Sequence, residues 1–112
     1  MRIYKILAAT EWREALAQGV FRGSAVDLAD GFIHFSTAAQ AAETARRHFR
    51  GVEGLVVLAV EADALGPALR FEPSRGGDLF PHLYGELDPA LALLLGDAPL
   101  GPDGAPRLPP LS

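Results

Sequence analysis

Two short stretches carry residue types that could do chemistry. In Asp30-Gly31-Phe32-Ile33-His34-Phe35-Ser36-Thr37 an imidazole and a hydroxyl stand at alternate positions. In Phe80-Pro81-His82-Leu83-Tyr84-Gly85-Glu86 an imidazole, a phenol and a carboxylate keep the same spacing. Alternate residues of a strand share a face, so each stretch would present a polar row. Ile33 and Phe35 then point into a core, and Phe32, His34 and Ser36 point away from it. His34 with Ser36 could orient a ligand hydroxyl or phosphate; the plainer alternative is a strand histidine satisfied by a neighbouring carbonyl. His82 and Glu86 offer an acid–base pair beside the ring of Tyr84, or else the solvent face of an edge strand. Thr37 is placed to cap the next helix, with Gln40 completing a capping-box pattern. A helix N-terminus suited to an anion therefore lies beside Ser36. If both rows face one cleft, each reading strengthens the other.

Other clusters carry less. Arg75-Gly76-Gly77-Asp78 could wrap a phosphate with backbone amides, with Arg75 neutralising its charge, or could be an ordinary turn. Arg46, Arg47, His48 and Arg50 gather at a helix C-terminus, where cations complement the dipole. His34, His82 and a carboxylate would make a facial metal set, but no short-range ligand spacing supports it, and no metal is expected.

The surrounding pattern says what positions these residues. An apolar strand runs from Ile3 to Ala8, with Tyr4 and Ile6 on one face. Thr10 reads as the N-cap of a short helix with Glu11 in its first turn, an apolar stripe at Trp12, Ala15 and Leu16, and a stop at Gly19. A helical turn is expected over Ser24 to Ala29. The helix from Ala38 to Phe49 places Ala38, Ala41, Ala42, Ala45 and Phe49 on one stripe, small enough to lie close to a sheet. Leu55 to Val60 has no polar alternation and reads as a strand buried on both faces. Strands are expected over Ala68 to Glu72, Phe80 to Glu86 and Leu91 to Leu95. From Pro99 to Ser112 glycine and proline announce a hairpin or tail. Helices early and strands late argue for an α+β fold, with residues 1–112 as one domain.

Composition bounds the function. The 112 residues include no cysteine, which excludes a disulfide framework and a cysteine-based zinc site. The net charge of −4 argues against bulk electrostatic binding to nucleic acid. Nine of the ten cations are arginine, a bias read here as a mark of a GC-rich genome. No apolar run approaches the roughly 20 residues of a spanning helix, and the chain opens directly into a strand pattern, so a cytoplasmic protein without membrane attachment is expected.

The two histidine motifs, the opening Ile3-Tyr4-Lys5 and Trp12 resemble the small bacterial family catalogued as domain of unknown function nine-five-two, over nearly the whole chain. That family is grouped by fold with the ADP-ribosyltransferases, so the resemblance implies a single domain with a split, curved, mostly antiparallel sheet around a cleft and two or three short helices. More distantly, Gly31 to Val60 is similar to a segment of RNA 2′-phosphotransferases in which a His-x-Ser strand precedes an alanine-rich helix. In that likeness His34 matches an active-site histidine and Ser36 follows in the same pattern. Glu86 is the nearest candidate, by its place on a late strand, for the catalytic glutamate of protein ADP-ribosyltransferases. The RNA 2′-phosphotransferases, with several other branches of that superfamily, grip NAD with a His-Gly-Thr-type motif in the first strand, which here reads Ile3-Tyr4-Lys5-Ile6-Leu7. NAD is thus a possible cofactor whose usual grip is missing.

These readings converge on a nucleotide-like or phosphorylated small molecule held in a histidine-lined cleft, with group transfer at ribose or phosphate as the chemistry. His34 would bind a ribose hydroxyl or phosphate, with Ser36 and Thr37 beside it. His82 or Glu86 would act as acid or base, and Tyr84 would stack on a base. Two alternatives stand beside it. One is a non-catalytic binding module that kept the fold and lost the chemistry. The other is a partner-binding domain using Leu91 to Leu111, a homodimer included.

Overall fold

The run without polar alternation becomes the centre of the molecule. In the computed structural model, which describes residues 1–111 apart from the side chain of Arg75, Leu55–Glu61 forms β3. β3 pairs antiparallel with β1 (Arg2–Ala8) on one side and with β6 (Ala92–Asp97) on the other. Its alternate residues feed two cores, as period-two geometry requires. Val56, Leu58 and Val60 join Ile3, Leu7, Trp12 and Ile33 on one face, and Leu55, Val57 and Ala59 join Tyr4, Ile6 and Ala45 on the other. Full burial of such side chains stabilises by about 1.5–3 kcal/mol each. This sheet is the mechanical base of the fold.

A second antiparallel sheet has the order β2-β5-β4, from Ile33–His34, Leu79–Leu83 and Leu69–Pro73. The two sheets meet at one bridge, where Tyr4 and Ser36 exchange both backbone hydrogen bonds at 2.8 Å. The sheet is therefore split: after β2 the chain makes one more backbone bond to β5, from the Phe35 N–H to the Pro81 carbonyl at 3.0 Å, and then touches β1 through Ser36.

Among the described residues three α-helices pack around this frame: α1 (Ala9–Gln18), α2 (Ala25–Asp30) and α3 (Ala38–His48). Short 3-10 turns precede β4, β5 and β6. The single α+β domain, its antiparallel split sheet and its three short helices agree with the sequence expectation. The alanines of α3 act in part as expected, with Ala41 and Ala45 buried and Ala45 packed with Tyr4 and Ile6 of β1, but Ala38 and Ala42 face outward, so the stripe is narrower. Thr37 is the N-cap of α3, and the Gln40 side chain accepts its backbone N–H at 3.1 Å.

Three local expectations need correction. Helix α1 begins at Ala9 with Ala8 as N-cap, not at Thr10; the Glu11 carboxylate reaches back to the Ala8 N–H at 3.3 Å and does the capping alone. Leu16 lies on the solvent side, 54% exposed. The strand expected to run from Phe80 to Glu86 ends at Leu83. Gly85 then adopts a φ of 155°, and the chain turns so that Leu87 can bridge Phe21 instead.

From Pro99 the chain folds back on itself. Leu100 bridges Pro106, Gly51 donates to the Gly104 carbonyl, and Leu108 and Leu111 pack on the core under α3.

Candidate functional site

Register decides whether the two polar rows meet. In the β2–β5 pair His34 stands directly opposite His82, and in the β4–β5 pair Arg70 stands opposite the same histidine. Directly opposed residues share a face, so the imidazoles lie together, with ring centroids 5.6 Å apart. Phe32, one step back along the same face, stacks on His82 with centroids 4.0 Å apart and also touches His34 and Tyr84. The Arg70 guanidinium sits 5.2 Å from the Tyr84 ring centroid.

Each histidine is held through Nδ1 by a carboxylate. His34 Nδ1 lies 2.7 Å from Asp27 Oδ1, and His82 Nδ1 lies 2.8 Å from Glu72 Oε1. An ionised carboxylate only accepts hydrogen bonds, so Nδ1 carries the proton in each pair. That leaves Nε2 of His82 for anything else, whereas Nε2 of His34 faces the Asp30 carboxylate at 3.0 Å.

The support beneath His34 is buried. Asp27 accepts from the Lys5 ammonium at 2.8 Å, from the Ser24 backbone and hydroxyl, and from both the backbone and the ring of His34. Burial alone would raise the Asp27 carboxyl, but the His34 hydrogen bond and the Lys5 charge outweigh it and hold the group well below the usual carboxylate range. Burial pulls the Lys5 ammonium below its ordinary value, and Asp27 opposes that pull. The local backbone is shaped to admit this carboxylate. Gly23 has a φ of 117°, and a Cβ there would stand 2.8 Å from that of Asp27. Gly31, with φ 88°, closes α2 in the left-handed conformation and sends its N–H to the Asp27 carbonyl.

The support beneath His82 is open. Glu72 on β4 also accepts from the Tyr84 hydroxyl at 2.7 Å. Tyr84 first, and His82 next, hold the Glu72 carboxyl below its ordinary range, and the same bond raises the Tyr84 phenol.

A cleft of about 420 Å³ opens where the sheet splits. His34, His82, Ser36 and Asp30 line it together with Thr44 and Phe49 of the α3 region, and Tyr4 and Ile6 of β1 contribute to its walls. Such a lining, apolar with a few convergent polar groups, is that of a small-molecule site.

The expected residues are distributed unevenly. His34, His82 and Ser36 share the cleft, with Tyr84 beside His82; Ser36 is buried, and its hydroxyl lies 2.9 Å from that of Thr44. Thr37 has its N–H already taken by Gln40. The side chain of Arg75 lies outside the described residues. Glu86 does not join His82: it lies past the end of β5 and pairs with Arg22 at 3.1 Å, both largely exposed. The carboxylate that meets His82 is Glu72, brought by strand pairing from ten positions earlier. Arg46 and Arg47 are both engaged by Glu43 on their own helix, the plainer of their two readings.

Asp27, Lys5, Asp30 and Glu72 were not singled out by sequence. Signals for two of them exist. Ser24-x-x-Asp27 has the form of a capping box, and the single lysine of the chain interrupts the apolar Ile3-Tyr4-Lys5-Ile6-Leu7.

Comparisons with known proteins follow the same outline. Two crystal structures and a solution structure of protein CC0527 from Caulobacter crescentus match. The first crystal structure has 55% identity over 96% of this chain and 94% of that one, with a TM-score of 0.92. The second, of a double mutant, has 52% identity over the same shares and a TM-score of 0.89. The solution structure has 56% identity over 95% and 91%, with a TM-score of 0.85. Comparison with curated proteins finds no match. The model of the family described as "Protein of unknown function (DUF952)" matches residues 6–93. The chain belongs to the DUF952 family.

Proposed function

We propose that the cleft binds a nucleotide-like or phosphorylated small molecule, and that group transfer at its ribose or phosphate is the chemistry the site serves. The observation that carries this reading is the pair of opposed histidines, each fixed through Nδ1 by its own carboxylate. Such a pair holds two imidazole Nε2 atoms in set positions, the arrangement that proton transfer to and from a ligand oxygen requires. In this reading His34 holds a ribose hydroxyl or phosphate oxygen, and His82, held by Glu72 rather than Glu86, is the acid or base. Tyr84, exposed beside Phe32, offers a stacking surface. The choice of ligand class follows the sequence's resemblance to ADP-ribosyltransferase-like proteins, which makes NAD a ligand to test.

One observation favours a second reading, in which the domain binds a protein partner or a second copy of itself. Leu91, Leu93 and Leu94, at the start of and along the edge strand β6, are 42%, 52% and 49% exposed. Exposed apolar edges of this kind are natural pairing surfaces.

A thermal-shift screen separates the two. NAD, ADP-ribose, mononucleotides and 2′-phosphorylated RNA ends are added at millimolar concentration to the wild type and to His82→Gln. A ligand at about 100 times its dissociation constant stabilises by roughly 2.7 kcal/mol, a shift of several degrees for a domain of this size. Stabilisation of the wild type that is lost in the variant is the expected result. No shift with any ligand, together with a dimer in sedimentation, would favour the second reading.

A further inference from the structure

Asp30 poses a question that the rest of the site does not answer. It is the last residue of α2, its side chain is 48% exposed, and its Oδ2 lies 3.0 Å from His34 Nε2. The fold does not require this contact. Asp27 already fixes the ring through Nδ1 and the strand through the His34 N–H. An exposed pair of this kind contributes little to stability. Yet Asp30 occupies the ring nitrogen of His34 that a ligand would need. It is also the one acidic side chain lining the cleft among the described residues, and no lysine or arginine lines it there. Asp30 is free to leave: it ends its helix, and Gly31 follows in the left-handed conformation.

We infer that Asp30 is a built-in occupant of the anion position on His34, and that an anionic ligand binds by displacing it. Its carboxylate oxygen stands where the oxygen of a phosphate monoester or a ligand carboxylate would accept from Nε2. The two cannot share the place, since like charges at hydrogen-bond separation repel. The wild type therefore discriminates against weakly held free anions, and a ligand must bring further contacts, such as a base or ribose, to dislodge Asp30. This inference rests on the cleft reading above and specifies how that site selects its ligand.

The test uses inorganic phosphate and adenosine as probes, read by the imidazole ¹⁵N signals of His34. Wild type, Asp30→Asn and Asp30→Glu are compared after circular dichroism has shown the same fold. Asp30→Asn is expected to bind phosphate roughly twofold to fivefold more tightly than wild type, the size of effect an exposed charge pair gives. Asp30→Glu, which keeps the charge, should stay near wild type. If Asp30→Asn binds phosphate no better, or less well, displacement is overturned. Adenosine then distinguishes the two levels of failure: perturbation of His34 by adenosine leaves the cleft reading standing without the plug. A wild type and variant that respond to neither probe overturn both.

Discussion

His34 and His82 face one another across two paired strands, yet they rest on carboxylates of opposite character. Asp27 is buried, fully engaged and countercharged by a lysine that is itself buried. Glu72 lies near the surface and divides one oxygen between His82 and Tyr84. A buried, saturated carboxylate can hold an imidazole in one orientation only, because any movement would leave a charge without a partner. An open one can exchange partners with water or ligand at little cost. The two supports divide the labour: His34 is built to hold, and His82 is built to adjust. The same division runs through the two sheets. β1-β3-β6 is fixed by apolar burial on both faces of β3, and β2-β5-β4 carries the polar row at its split.

Breaking the buried support should have the largest effect. Asp27→Asn would leave the Lys5 ammonium without its countercharge, at a cost of about 3–5 kcal/mol in urea denaturation. Adding Lys5→Met should return part of that loss, since the two residues are coupled. The pH dependence follows with a definite sign. Asp27 is depressed in the folded protein, so its contribution is complete above the unfolded value of about 3.9 and is lost as the pH falls towards the folded one. Wild-type stability should therefore decline below about pH 4, with a shallower acid slope in Asp27→Asn. Equal slopes would mean that Asp27 is not the group that titrates.

Changing the open support should scarcely move stability but should alter titration. Glu72→Gln is expected to keep the melting temperature within a few degrees while the Tyr84 phenol, raised by Glu72, returns towards its ordinary value. Glu86→Gln should leave both the phenol and the His82 ring signals unchanged, because Glu86 contacts Arg22 instead. A response of His82 to Glu86 but not to Glu72 would reverse the assignment made here.

Much of the frame was legible in the residues, because apolar periodicity reports burial directly. β3 followed from an unbroken apolar run, and α3 from Thr37, Gln40 and its alanines. The polar rows were legible for the same reason: alternation placed His34 and Ser36 on one face, and His82 with Tyr84 on another. What alternation cannot carry is pairing. Whether the rows meet depends on register between segments far apart in the chain, and so does the identity of the acid beside His82. Glu86 shared the alternation with His82, but a turn at Gly85 removed it and strand pairing supplied Glu72. The lone lysine was read as genomic bias in favour of arginine. Its position adds what composition does not carry: an ammonium amid apolar residues must find a buried anion, and Asp27 is that anion.

The most direct test of the account is a titration of the wild type with ADP-ribose, followed through the imidazole nitrogens of both histidines. If the cleft holds a nucleotide-like ligand between them, the Nε2 signals of His34 and His82 will move together and saturate at one dissociation constant. Signals that stay in place at millimolar ADP-ribose, in a protein that remains folded, would contradict it.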